Sequence, residues 1–261
     1  MPISVSTCLR FPVVALALGL ALGGCQQTMT TGSISKQAAP AQGPQEQLQQ
    51  AAALQKRFKK DPGNPQIALA FSDSLKVLGR DEQAMMVLER ASSENPADAR
   101  LQSAYGRAML RAGKPNEAIV ALEKASKAGD TSAPVLSAQG AALDQLGRNE
   151  EARERYKMAL AKDPDNPSIL ANLGLSYALS NKIDDAELTL RRAATYPAAE
   201  PKVRQNLVLV LALQGKFAEA EDFASQDLPP EDVRINMAYL KQMMKTPDRW
   251  QKLKNIDGAT G

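Results

Sequence analysis

At 261 residues, with 44% apolar and only 4% aromatic residues, the chain is long enough for one large domain or two ordinary ones. Alanine, leucine, lysine, glutamate, glutamine and arginine dominate and runs of Val, Ile and Thr are missing, which reads as all-α and excludes a β-sandwich. The net charge of +3 is spread over mixed surfaces without blocks of like charge, so nucleic acid is not an expected partner; the absence of histidine removes the usual neutral-pH base and the commonest zinc ligand.

In chain order, residues 1–24 come first, with Arg10 ahead of the apolar run FPVVALALGLAL. That run is too short to span a bilayer and has the build of an export signal. It ends in Leu22, Gly23, Gly24 and Cys25, which resemble the lipobox of bacterial lipoproteins. The alternative is a free cysteine beside an ordinary cleavage site. By the resemblance, Cys25 is diacylated and becomes the first mature residue, and Gln26 after it implies release to the outer membrane, on its periplasmic leaflet. Each buried acyl methylene then contributes about 0.8 kcal/mol, and several chains together anchor stably. Cys8 leaves with the signal, so no disulfide is expected.

Residues 25–45 carry no hydrophobic period and are rich in Ser, Thr, Gln, Gly and Pro, the composition of a flexible tether. Twenty such residues reach on the order of 25 Å.

Residues 46–245 are organised by repetition. Ala84, Ala118, Ala152, Ala186 and Ala220 recur every 34 residues. Around them GRDEQAMMVLERA, GKPNEAIVALEKA, GRNEEARERYKMA, NKIDDAELTLRRA and GKFAEAEDFASQD are five versions of one helix start. Gly79, Gly113, Gly147, Gly215 and Asn181 suit the left-handed residue that ends the preceding helix. The alanine lets two helices approach, and Leu88, Leu122, Tyr156 and Leu190 fill the groove beside it. DPGNP, ENPADA and DPDNP mark where one hairpin stops and the next begins.

A 34-residue helical hairpin with small residues at Gly106, Gly140 and Gly174 resembles the tetratricopeptide repeat. The resemblance covers about residues 65–232 and implies a solenoid of about five hairpins with capping helices at 46–60 and 231–245. Ser72 and Val208 stand where glycine is usual, and Ala224 and Asp227 where a large residue and an alanine are, so the fifth hairpin is expected to be looser. Residues 246–261 form a tail whose Trp250 either docks on the last helix or anchors a partner.

The concave face of such a stack is the candidate binding groove. The positions taken for it include Arg100, Ser103, Arg107, Arg111, Asp144, Asn172, Leu175, Gln205 and Asn206. Asn172 and Asn206 share a repeat position that, by the resemblance, holds a ligand's main chain; the alternative is that they satisfy local backbone or water. The arginines either clamp an acidic segment or form a solvated face. No phosphate loop, nucleophile motif or metal-binding cysteine pair is present, so neither a cofactor, a metal nor an enzyme activity is expected.

The stretches Asn172 to Ala193, Val203 to Glu221 and Asp227 to Met244 go beyond generic repeats and, with the lipobox, resemble the TadD lipoproteins of tight-adherence (Flp) pilus assembly. The resemblance implies an outer-membrane adaptor, pilotin-like, that promotes localisation or multimerisation of the pilus secretin. Its partners would be the secretin or other Tad assembly proteins, and membrane lipid through the acylated cysteine. The alternative is a general envelope scaffold that organises peptidoglycan enzymes or other outer-membrane complexes.

Overall fold

The computed structural model describes residues 43–245, and there the chain is wholly helical. Cys25, most of the tether and the Trp250 tail lie outside the described residues. Twelve helices follow one another: α1 (Pro44–Lys60), α2 (Pro65–Val77), α3 (Asp81–Glu94), α4 (Ala99–Arg111), α5 (Pro115–Lys127), α6 (Ala133–Gln145), α7 (Asn149–Lys162), α8 (Pro167–Leu179), α9 (Ile183–Ala194), α10 (Pro201–Leu213), α11 (Phe217–Ala224) and α12 (Pro230–Met244). The second helices of the five hairpins, α3, α5, α7, α9 and α11, start at 81, 115, 149, 183 and 217, each one repeat length after the last.

Local sequence fixes both ends of the hairpins. Asn64, Asp98 and Asn166 cap α2, α4 and α8 by accepting the backbone N–H groups two and three residues on, which satisfies orphan donors of the first turn. Inside each hairpin the tight turn passes through a left-handed residue; at Gly79, with φ of +68°, the Arg80 N–H returns to the Leu75 carbonyl at 2.9 Å. Asn181 takes the same conformation at φ 59° without being glycine.

The repeated small and large residues form the core. Ala84, Ala118, Ala152, Ala186 and Ala220 are completely buried, as are Leu88, Leu122 and Leu190, with Tyr156 close behind. Gly106, Gly140 and Gly174 lie against Leu122, Tyr156 and Leu190 so closely that no Cβ fits between.

The fifth hairpin is looser as expected, since α11 has only eight residues and packs less extensively on its partner helix than in the other hairpins, yet its departures are answered in pairs. Val208 replaces the glycine, and Ala224 replaces the large residue sixteen positions on; both are buried in one cluster. Bulk has moved from one helix to the other with the contact kept. Asp227 replaces an alanine, and Arg204 meets it with two parallel hydrogen bonds, Nε to Oδ2 at 2.7 Å and Nη2 to Oδ1 at 2.5 Å. In the first hairpin Ser72 satisfies its hydroxyl on the Leu69 carbonyl at 2.8 Å.

Successive hairpins stack so that first helices touch first helices: α2 with α4, α4 with α6, α6 with α8, α8 with α10, and α10 with α12. Second helices approach one another less closely. The stack therefore bends toward the first helices, which line its inner side.

Candidate protein-binding groove

The inner side is built from α4, α6, α8 and α10, and the sequence-predicted positions on it divide into groups that are open and groups that are spent on the fold. Among the three arginines, Arg100 is exposed but donates from Nη2 to Oδ2 of Asp98 at 3.0 Å, beside the cap that Asp98 forms for the same helix. That pairing raises the Arg100 pKa and lowers the Asp98 one. Arg111 reaches Asp81 of α3 only at 3.9 Å. Arg107, half-buried on the same helix, belongs to no ion pair among the described residues. It is the guanidinium of the three that stands ready for a carboxylate.

Toward the C-terminal end the groove is amidic and apolar. Asn172 is half-buried and donates from Nδ2 to the Ser137 hydroxyl of α6 at 3.3 Å, a long bond that ties two neighbouring first helices and leaves its carbonyl oxygen open. Asn206 is half-buried and Gln205 exposed. Leu175, Leu179 and Leu209 are each half-buried, so apolar surface flanks the amides. An exposed amide between leucines suits the main chain of a bound segment, with donor and acceptor on one planar group.

Two expected groove residues are taken up by the fold, Ser103 by burial and half-buried Asp144 by its hydrogen bonds. Ser103 is only 3% exposed. Asp144 is turned inward: Oδ1 accepts from Asn149 Nδ2 at 2.8 Å and from the Ser176 hydroxyl at 2.7 Å, and Oδ2 accepts from the Tyr156 hydroxyl at 3.0 Å. Burial pushes the Asp144 carboxyl up, against the three hydrogen bonds and the charge of Arg153. Its lone pairs stitch α6, α7 and α8 together and leave little for a ligand.

Arg153 is the polar residue that the sequence analysis did not single out. It lies on α7 at 4% exposure, donates from Nη1 to the Ser180 hydroxyl at 2.8 Å and the Ser176 carbonyl at 3.4 Å, and stacks on Tyr177 with 5.3 Å to the ring centroid. The signal was in the register, because Met85 and Ile119 hold the same repeat position and face inward. A charge there has to be partnered. Glu187 occupies that position in the next hairpin and is likewise enclosed, by Lys216 at 2.8 Å and Arg191 at 2.7 Å.

Among the described residues no group of three or more Cys, Asp or Glu side chains is placed to hold a metal, and no helix is long and apolar enough to cross a membrane. The groove offers hydrogen bonds, apolar surface and, among the described residues, a guanidinium in no ion pair, which is the equipment of a protein-binding scaffold.

Comparison with known proteins agrees with this geometry. Residues 82–142 match the model described as Tetratricopeptide repeat, and residues 140–181 the model described as TPR repeat. No curated protein matches the chain. Among solved structures, a thermophilic TPR protein of Thermus thermophilus is similar at 25% identity and a TM-score of 0.59, over 68% of this chain and 98% of that one. PilW, described as a widely conserved type IV pilus biogenesis factor, is similar at 19% identity and a TM-score of 0.62, over 80% of this chain and 91% of its own. YrrB, described as a TPR protein with an unusual peptide-binding site, is similar at 17% identity and a TM-score of 0.52, over 72% and 99%. The repeat register, the all-helical stack and these matches agree on a tetratricopeptide-repeat fold, with residues 82–181 matched by the repeat models themselves.

Proposed function

We propose that this protein is a lipid-anchored adaptor of the outer membrane that assists tight-adherence (Flp) pilus assembly in the manner of TadD, acting as a pilotin for the pilus secretin. The observation that carries the binding role is the inner face itself, where Arg107, in no ion pair among the described residues, and the open amides of Asn172 and Asn206 accompany half-buried leucines. The client is an extended or helical segment whose acidic end meets Arg107 and whose main chain is held by the amides. The pilus assignment is supported by the resemblance of residues 172–244 to the TadD lipoproteins, and by a fold shared with PilW.

The anchor gives the groove its effect. Acylation at Cys25 confines the domain to the periplasmic leaflet, and confinement raises its effective concentration toward a membrane-bound client. A modest groove affinity then suffices.

The test is a semi-denaturing gel of the secretin in a deletion strain, complemented with the native gene or with Cys25→Ser. Loss of the multimer, restored only by the native gene, supports the proposal. An intact multimer in the deletion strain, with altered cell-wall composition, favours a general envelope scaffold instead.

A further inference from the structure

On the side of the stack away from the groove, the second helices of the first and second complete hairpins stand apart. Between α3 and α5 lies a cleft of about 520 Å³, floored by Tyr105 of α4 and walled by Pro96, Val120 and Ala121. Its size falls in the range of sites that enclose a ligand group. Val120 is 51% exposed, so the apolar wall is accessible.

The two ends of the cleft carry opposite charge. At one end Glu117 lines the cleft, and Glu89 accepts a hydrogen bond from the Tyr105 hydroxyl. At the other end is Lys124. None of these three charges belongs to an ion pair among the described residues. Burial, and after it the neighbouring charges of Glu89 and Glu117, pushes the Tyr105 hydroxyl above its ordinary pKa. The site is thus negative at one end, apolar in the middle and positive at the other. It fits a segment that carries an anion, a large apolar side chain and a cation in a row.

The chain itself contains such a segment, Asp248-Arg249-Trp250-Gln251-Lys252, with its only tryptophan at the centre. In an extended strand Asp248, Trp250 and Lys252 share one side, because side chains alternate. Asp248 to Lys252 then spans about 13 Å, against about 10 Å along α5 from Glu117 to Lys124. Both charge pairs can close with Trp250 between them.

The segment cannot reach the cleft of its own chain. Five residues from Lys245 to Trp250 extend at most about 18 Å, while three hairpins separate α5 from α12, each a layer about 8–10 Å thick. We propose that the Asp248–Lys252 segment of a second copy docks in extended form in the α3–α5 cleft, with Trp250 over Tyr105 and Val120, Lys252 at Glu117 and Glu89, and Asp248 at Lys124. A contact between two different surfaces of like chains is heterologous and propagates head to tail. This inference does not rest on the groove or on the pilus assignment.

The test places the photo-crosslinking residue benzoylphenylalanine at position 250 of the full chain in living cells. The expected product is a covalent dimer whose linked peptide lies within residues 93–124, reduced at least tenfold by Glu117→Lys or Val120→Asp with helical content and membrane fractionation unchanged. The charge-swapped pair Glu117→Lys with Lys252→Glu should recover it. Crosslinks confined to α10–α12, crosslinks only to other proteins, or a monomer at every expression level would overturn the proposal.

Discussion

Gly140 lies so close to Tyr156 that a carbon added at its Cα would stand 2.6 Å from the Tyr156 ring. Tyr156 cannot swing away, because its hydroxyl is held by Asp144 at 3.0 Å and its ring is 1% exposed. Gly140→Ala should therefore lower stability by about 1–3 kcal/mol through overpacking, although alanine is the better helix former by roughly 1 kcal/mol. Thermal unfolding by circular dichroism reads the sign directly. An unchanged or raised Tm would mean that the two helices are not in this contact.

The fifth hairpin offers a sharper test of the same geometry. Ala224→Leu alone should crowd Val208, and Val208→Gly alone should leave a void and a flexible helix residue; each should cost about 1–3 kcal/mol. The double variant rebuilds the Gly174–Leu190 arrangement of the preceding hairpin. A coupling energy above about 1 kcal/mol in the double-mutant cycle is the expected result.

Acid should weaken the junction between the fourth and fifth hairpins. Burial raises the Glu187 carboxyl, but hydrogen bonds from Lys216, Arg191 and Gln214 outweigh it and hold the group at about 2. A carboxyl lowered in the folded state contributes stability that is fully present above its ordinary value of 4.5 and lost as pH falls toward 2. The full shift corresponds to roughly 3 kcal/mol, which solvent screening reduces to about 1–2 kcal/mol. Glu187→Gln should flatten the acid limb of a Tm-versus-pH curve between about pH 5 and 2, with little further loss below.

Arg153→Met removes a buried guanidinium and leaves its hydrogen-bonding neighbours, the Ser176 carbonyl and Ser180 hydroxyl, facing an apolar side chain. Asp144 also loses the positive charge that favours its ionised form. The expected loss is about 2–4 kcal/mol, read by urea unfolding. Its pH dependence carries the signature, since the Asp144 carboxyl should titrate still higher than in the parent chain.

The helical hairpins and their borders were legible in the sequence because a 34-residue period fixes phase: once Ala84 and Ala118 are aligned, the starts of α3 to α11 follow. The departures of the last hairpin were visible singly but not as pairs. Val208 with Ala224, and Arg204 with Asp227, compensate across two helices, and only contact reveals that. The hydrogen-bond partners of Asp144 were hidden for a related reason. Helical spacing puts it on the same face as groove residues, yet its short side chain reaches Tyr156 and Ser176 instead. Arg153 escaped because a charged residue amid GRNEEARERY reads as surface until the register with Met85 and Ile119 is applied.

The most direct test of the binding groove is a series of full-length variants in the deletion strain, read by the same secretin gel. Arg107→Glu and Leu175→Asp change the inner face, and Leu188→Asp changes an exposed residue of the second helix α9 as a control. Asn172→Ala gives up a 3.3 Å bond and should cost under about 1 kcal/mol of stability. The account predicts that the three groove variants accumulate and fractionate like the parent but lose the multimer, while the control keeps it. A secretin multimer at parental level in all three would contradict the assignment of the groove to the client.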